Sequence, residues 1–166
     1  MPLLTNDVWR HLLAQCLDAA VEETRVRLVS FVFMPEHVHL LVSPVDAECS
    51  VSRFLARVKQ PFSKQVHDQL LNSGGRLLDR LVVRERLGKM CFRFWQEGPG
   101  FDRNLFSPDA ITASLDYIHT NPVKRGLCQK AVDWRWSSAR FYLAEPPMKQ
   151  YPDLPFVHGL PAGAIS

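Results

Sequence analysis

No run in this 166-residue chain is long and apolar enough to cross a bilayer, a span that takes roughly 18 residues. The opening, Met1-Pro2-Leu3-Leu4-Thr5-Asn6-Asp7, lacks the charged and apolar regions of a signal peptide. Cysteine is sparse: Cys16, Cys49, Cys91 and Cys128 stand far apart with no Cys-x-x-Cys. That argues against a disulfide framework and against a zinc ribbon. There is no internal repeat. These absences lead us to expect reduced cysteines and a cytoplasmic protein with no membrane partner. What is present suits one globular domain. Hydrophobic residues make up 46% and charged residues 22%, and the length suffices to bury a real core.

The net charge of +3 is unevenly spread. Residues 53 to 93 hold ten Lys and Arg, from Arg53, Arg57, Lys59 and Lys64 through Arg93, against Asp68, Asp79 and Glu85. That surplus of seven leaves the rest of the chain at −4. Such asymmetry is the electrostatic footprint of a nucleic-acid binder, and equally that of a solvated helix face. Charge alone does not separate the two.

The stretch Phe31-Val32-Phe33-Met34-Pro35-Glu36-His37-Val38-His39-Leu40-Leu41-Val42 carries more information. Two β-branched and aromatic runs meet at Met34-Pro35-Glu36, which reads as strand, tight turn, strand, with the first strand starting near Arg25. Side chains alternate along a strand, so Val38, Leu40 and Val42 share one face and His37, His39 and Leu41 the other. Two imidazoles two residues apart project in parallel, and histidine is a common metal ligand. A bare His-x-His also arises as one core and one surface residue, so the pair needs a partner elsewhere.

Around this hairpin the pattern is mostly helical. Residues 6 to 23 form an amphipathic helix capped by Thr5 or Asn6, with Trp9, Leu13, Cys16, Leu17 and Ala20 at the helical period. A second begins near Ser50, its stripe being Val51, Phe54, Leu55, Val58, Phe62, Val66 and Leu70. Pro61 should kink or interrupt it, and Asn72-Ser73-Gly74-Gly75 ends it. Residues 76 to 89 are ambiguous. Met90 to Gln96 is a strand candidate closed by Glu97-Gly98-Pro99-Gly100. Ser107-Pro108-Asp109 is a helix start, with a capping hydroxyl, a first-turn proline and an acid at the positive end of the dipole. Ile111, Leu115 and Ile118 are its buried stripe, and Pro122 limits it. Asp133 to Ser138 reads as a turn and short helix, and from Glu145 onward prolines argue for an irregular tail.

Tyr117 lies off that buried stripe, sharing a face with Ala113, Ser114 and Asn121. A roomy tyrosine with an amide one turn later suits a nucleophile beside a metal ligand. Such a residue is more often a packing tyrosine with its hydroxyl at the surface.

Taken together, these pieces resemble a known family. His37-Val38-His39 in its hairpin looks like the HUH motif (His, hydrophobic, His) of single-tyrosine transposases. Tyr117-Ile118-His119-Thr120-Asn121-Pro122-Val123-Lys124-Arg125-Gly126-Leu127 resembles their tyrosine helix. Phe94-Trp95-Gln96 and Trp136-Ser137-Ser138-Ala139 resemble the REP-associated tyrosine transposase branch. The resemblance covers about residues 3 to 143, leaving 144 to 166 as a proline-rich tail. It implies an α+β, ferredoxin-like antiparallel sheet with helices packed on one face. His37 and His39 then match the metal-binding pair, Tyr117 the nucleophile and Asn121 the third ligand. Relatives open with another strand before the first helix, which is missing here, and they often carry Asn at the position of Glu36.

The chemistry implied is transesterification of single-stranded, hairpin-bearing DNA. Tyr117 attacks, leaving a 5′-phosphotyrosine and a free 3′-hydroxyl, and a second 3′-hydroxyl reverses the step. A phenol ionises near pH 10 and is a weak nucleophile at neutral pH. A divalent ion on two imidazoles and an amide, Mg²⁺ or Mn²⁺ and less typically Zn²⁺, would polarise the phosphate. Arg53, Arg57, Lys59, Lys64, Lys124 and Arg125 would neutralise the DNA backbone. Trp95, Trp136 and Phe92, with Gln96 alongside, are stacking candidates for unpaired bases, although strand aromatics are more often core. The expected assembly is a monomer or homodimer. The competing readings are a non-catalytic nucleic-acid-binding protein that kept the fold, and a metal-dependent phosphodiesterase in which water attacks.

Overall fold

The computed structural model describes residues 1–74, 76–85, 88–96, 102–145 and 150–164. Helix α1 spans Asp7–Thr24, and the antiparallel hairpin β1 (Val26–Phe33) and β2 (Val38–Pro44) follows. Helices α2 (Val51–Ser73) and α3 (Arg76–Leu81) lead to a short antiparallel pair, β3 (Val82–Arg84) and β4 (Met90–Phe92). Helix α4 (Pro108–Lys124), a 3₁₀ turn (Ala131–Asp133) and α5 (Ala139–Leu143) complete the order. Gly75, Arg86, the Glu97-Gly98-Pro99-Gly100 stretch expected to close the strand, Phe101, Pro146 and Pro147 lie outside the described residues.

The cap signals hold. The Asn6 side chain accepts from the Val8 amide, Ser50 from Arg53 and Ser107 from Ala110, each meeting one orphan donor of a helix start. Helix α1 ends with Arg25 in the left-handed region (φ 57°) and α2 with Gly74 (φ 63°).

Neither proline ends its helix, contrary to the expected interruption at Pro61 and limit at Pro122. Helix α2 runs through Pro61 and α4 through Pro122. Pro61 is exposed, so the carbonyl it orphans one turn back lies on the solvent side, and Phe54, Val58, Phe62, Val66 and Leu70 are buried on both sides of it. At Pro122 the helix is held by what it packs on: Ile118, His119, Asn121 and Pro122 are all buried. Tertiary packing outweighs the local preference against helix before proline. The strand expected over 90 to 96 is shorter, ending at Phe92.

The hairpin is a partition between two layers. Leu28 pairs with Val42, but Ser30 pairs with Leu41, a register slip at Val29. Because side chains alternate, this bulge flips the strand halfway. Val26, Leu28, Phe31 and Phe33 then join Val38, Leu40 and Val42 in the core with α1 and α2, while Val32 and Leu41 join Met34 and Ile118 of α4 on the opposite face. Helices thus cover both faces of the hairpin, α1 and α2 on one and α4 on the other.

No strand precedes α1 among the described residues. The outer edge of β1 is instead met from the C-terminal part of the chain. Phe33 N–H donates to the Trp136 carbonyl (2.8 Å), Ser138 N–H to Phe31 (3.0 Å) and His158 N–H to Leu28 (2.8 Å). The Tyr142 hydroxyl donates to the Val29 carbonyl (2.7 Å). The segment after residue 150 is irregular yet packed: Leu154 and Val157 are buried, and Asp18 accepts from Phe156 N–H at 2.8 Å.

Candidate active site

The turn Met34 to Glu36 is closed by Met34 N–H donating to the His37 carbonyl (2.9 Å), which aims β2 back along β1. His39 stands opposite Val32, on the face that α4 covers. There His37 and His39 have ring centroids 4.7 Å apart, and Tyr117 lies edge-on to His39 at 5.3 Å. The Asn121 side chain reaches His39 Nε2 at 3.2 Å. Four residues picked out from two distant stretches therefore meet in one cluster. Tyr117 is 49% exposed, so its side chain is open to solvent.

Burial holds both imidazoles below the usual histidine range, with the neighbouring ring of His37 adding to the effect on His39. For His37 the Glu36 carboxylate opposes burial and Arg125 reinforces it. Both rings are consequently neutral at pH 7 and keep a nitrogen lone pair. Among the described residues there is no group of three or more His, Cys, Asp or Glu side chains placed to hold a metal. The cluster fits a divalent cation only if an amide counts, with two neutral imidazoles and Asn121, whose side chain presents an oxygen as readily as a nitrogen.

One cation stands beside the Tyr117 ring and another at the turn. Lys124 Nζ is 5.6 Å from the Tyr117 ring centre, and Arg125, just past the helix end, pairs with Glu36 of the turn. Sequence patterning did not single out this pair, because the partners are 89 positions apart.

Beneath the cluster lies a second group that the sequence reading missed. His119 is 3% exposed, and its Nε2 sits 3.1 Å from Ser30 Oγ and 2.9 Å from Ser138 Oγ. The two hydroxyls are 2.8 Å apart. Burial pushes the imidazole down to about 4, so it is neutral. The available signal was a histidine one position from Ile118, inside the buried stripe of its helix.

The other sequence candidates lie elsewhere. Arg53, Arg57, Lys59 and Lys64 sit on α2, in the layer on the far side of the hairpin. Arg57 is paired with Glu23 and Lys64 with Asp68, each at 2.7 Å. Trp95 is half-buried against Phe62 (5.3 Å) and Phe94 (5.1 Å), with Lys59 Nζ 5.9 Å from its ring, and Gln96 is exposed. Trp136 is not a stacking platform. It is 4% exposed, enclosed by Phe33, His11, Arg10 and Arg135, and stacking on a base would require removing it from the core.

Comparison with known proteins finds similarities of sequence and of fold. Residues 1–80 match the family model described as "Transposase IS200 like". A protein of Haemophilus influenzae described as a REP-associated tyrosine transposase is 29% identical over 110 residues, 66% of this chain. The chain spans 57% of the length of that relative. A solved structure of a REP-associated tyrosine transposase bound to a REP hairpin is similar over 96% of this chain and 83% of its own, with a TM-score of 0.55 at 20% identity.

Proposed function

We propose that this chain, whose residues 1–80 match the IS200-like transposase family model, cuts and rejoins hairpin-bearing single-stranded DNA with Tyr117 as nucleophile. The observation that carries the reading is the convergence of a strand imidazole and a helix phenol, His39 and Tyr117, at 5.3 Å, with the Asn121 amide at the same imidazole. The solved relative's bound REP hairpin supports hairpin DNA as the partner.

In the step we envisage, the Tyr117 oxygen bonds to the scissile phosphorus as the bond from phosphorus to the 3′ oxygen breaks. The phenol proton passes to solvent and the leaving oxygen takes one up. The products are a 5′-phosphotyrosine and a free 3′-hydroxyl, and attack by another 3′-hydroxyl reverses the step without ATP. His37, His39 and Asn121 would hold the divalent cofactor, Mg²⁺ or Mn²⁺, which supplies Lewis-acid polarisation of the phosphate when bound. The Lys124 ammonium beside the ring is placed to attract the incoming phosphate. Arg125 is available to a phosphate once it exchanges Glu36 for it.

The test is a denaturing gel of labelled hairpin-bearing single strands incubated with protein and Mn²⁺ or Mg²⁺. A shifted, protease-sensitive band, lost with chelator and with Tyr117→Phe, is the expected result. Cut DNA without the shifted band would make water the nucleophile. Hairpin binding without cutting would leave a non-catalytic nucleic-acid-binding protein.

A further inference from the structure

Helix α4 carries the nucleophile, yet most of what holds it on the hairpin is apolar: Ile118 against Val32, Met34 and Leu41. Apolar contact is non-directional, so on its own it does not fix how far a helix is rotated or slid. A buried hydrogen bond does, because an unmet polar group in such a layer is costly. His119 supplies that constraint. It is two residues from both Tyr117 and Asn121, roughly 200° around the wheel from each at about 100° per residue. Fixing it toward Ser30 and Ser138 turns the other two together to the opposite side of the helix, toward His39.

The constraint also ties three segments. Ser30 comes from β1 beside the bulge, His119 from α4, and Ser138 from the turn that pairs with the outer edge of β1. One proton arrangement satisfies the group. Phe31 N–H donates to Ser138 Oγ (3.0 Å), Ser138 donates to His119 Nε2, and Ser30 donates to Ser138 Oγ. The Tyr142 ring packs against the imidazole at 5.3 Å and closes its side.

We propose that His119, clamped by Ser30 and Ser138, is a positioning residue that sets the rotation of the tyrosine helix, and so the placement of Tyr117 and Asn121 against His39. The proposal rests on the Tyr117 reading for its effect on cleavage, but the placement itself is measurable in an inactive protein. The chain has three tyrosines. With ¹³C-labelled tyrosine, Tyr117 is identified by its loss in Tyr117→Phe, and Tyr151 serves as an internal control.

The experiment compares wild type with His119→Phe, which keeps an aromatic of similar bulk, and with His119→Gln, which keeps a group able to meet the two hydroxyls. In folded His119→Phe, the Tyr117 ring signal should lose the shift imposed by the edge-on His39 ring, and it should regain it in His119→Gln. The single-turnover rate of adduct formation should fall by about 10- to 100-fold in His119→Phe, since small misplacements cost that much. Affinity for the hairpin oligonucleotide in chelator should stay within about twofold, while His119→Gln recovers most of the rate. An unchanged Tyr117 signal in folded His119→Phe overturns the proposal, whatever the activity. So does a loss of rate matched by an equal loss of hairpin affinity, which marks a general support of the fold. Should wild type form no adduct, the Tyr117 reading fails and the spectra alone decide the positioning claim. If His119→Phe does not fold, Ser138→Ala, which removes one partner of the clamp, is read by the same signal.

Discussion

The two faces of one hairpin obey different rules. On the face toward α1 and α2, Phe31, Phe33, Val38, Leu40 and Val42 enter a core that also holds Phe54 and Phe62. On the face toward α4 the same strands present Ser30, His39 and Leu41 to a helix carrying Ile118, His119 and Asn121. The first face is apolar throughout, so each fully buried side chain there contributes about 1.5–3 kcal/mol. The second buries less apolar surface and spends its contacts on polar pairs, which orient groups more than they stabilise them. The comparison teaches that the apolar core and the proposed chemistry lie on opposite sides of a two-stranded partition. A single-residue bulge at Val29 divides the strand between them.

That division predicts which substitutions separate activity from stability. The largest effect belongs to Tyr117→Phe. Adduct formation should be lost by at least about 10³-fold, while the melting temperature stays within a degree or two because the side chain is half exposed. Measuring rate and melting together checks both halves. A cleaving Tyr117→Phe would break the assignment of chemistry to the α4 face.

Phe62→Ala on the other face is the mirror case. Phe62 is 0% exposed, and emptying such a site costs about 3–5 kcal/mol. Denaturant unfolding should show that loss, and whatever protein remains folded should retain the wild-type rate per folded molecule.

The α4 face has its own stability signature, in pH. Burial sets the folded pKa of His119 at about 4, below the usual histidine value. Between pH 6.5 and 4 the unfolded chain therefore binds more protons than the folded one, and stability falls as pH falls through that window. The His119 share is on the order of 3 kcal/mol when fully expressed. His37 and His39, also held low, add in the same direction. Urea unfolding across the window should show the slope, and His119→Phe should flatten part of it. A slope unaffected by that substitution would place the titration elsewhere.

Glu36→Gln is the smallest effect. The Glu36–Arg125 pair is solvated at both ends, so its loss should change stability by about 0.2–1 kcal/mol at most. Freed of its carboxylate partner, Arg125 should raise hairpin affinity by a few fold at low salt. Binding titrations at two salt concentrations measure this, and equal affinity would mean that Arg125 does not meet the DNA.

How much was legible beforehand follows the same partition. His37, His39, Tyr117 and Asn121 were readable because each motif is local: two residues along a strand, four along a helix. The stripe from Phe54 to Leu70 was readable because burial and helical period coincide. The bulge at Val29 was not readable, since Val26 to Phe33 is almost uniformly apolar and offers no alternation to break. The Ser30–His119–Ser138 clamp joins positions 89 and 19 apart, and such pairings exist only once the chain has folded. Pro61 and Pro122 misled for a related reason, because local preference was outweighed by burial on either side. Of the two roles weighed for Trp136, stacking platform and core, burial selects the core.

The most direct test of the account is the chemical identity of the linkage to DNA. Protein incubated with hairpin-bearing single strands and Mn²⁺ would be digested with nuclease and then trypsin, and the peptides mapped by mass spectrometry. Tryptic peptide 104–124 contains one tyrosine, Tyr117. A nucleotide remnant on that peptide, attached through a 5′ phosphate to Tyr117, is the predicted result. A remnant on any other residue, or cleaved DNA with no modified peptide, would contradict it.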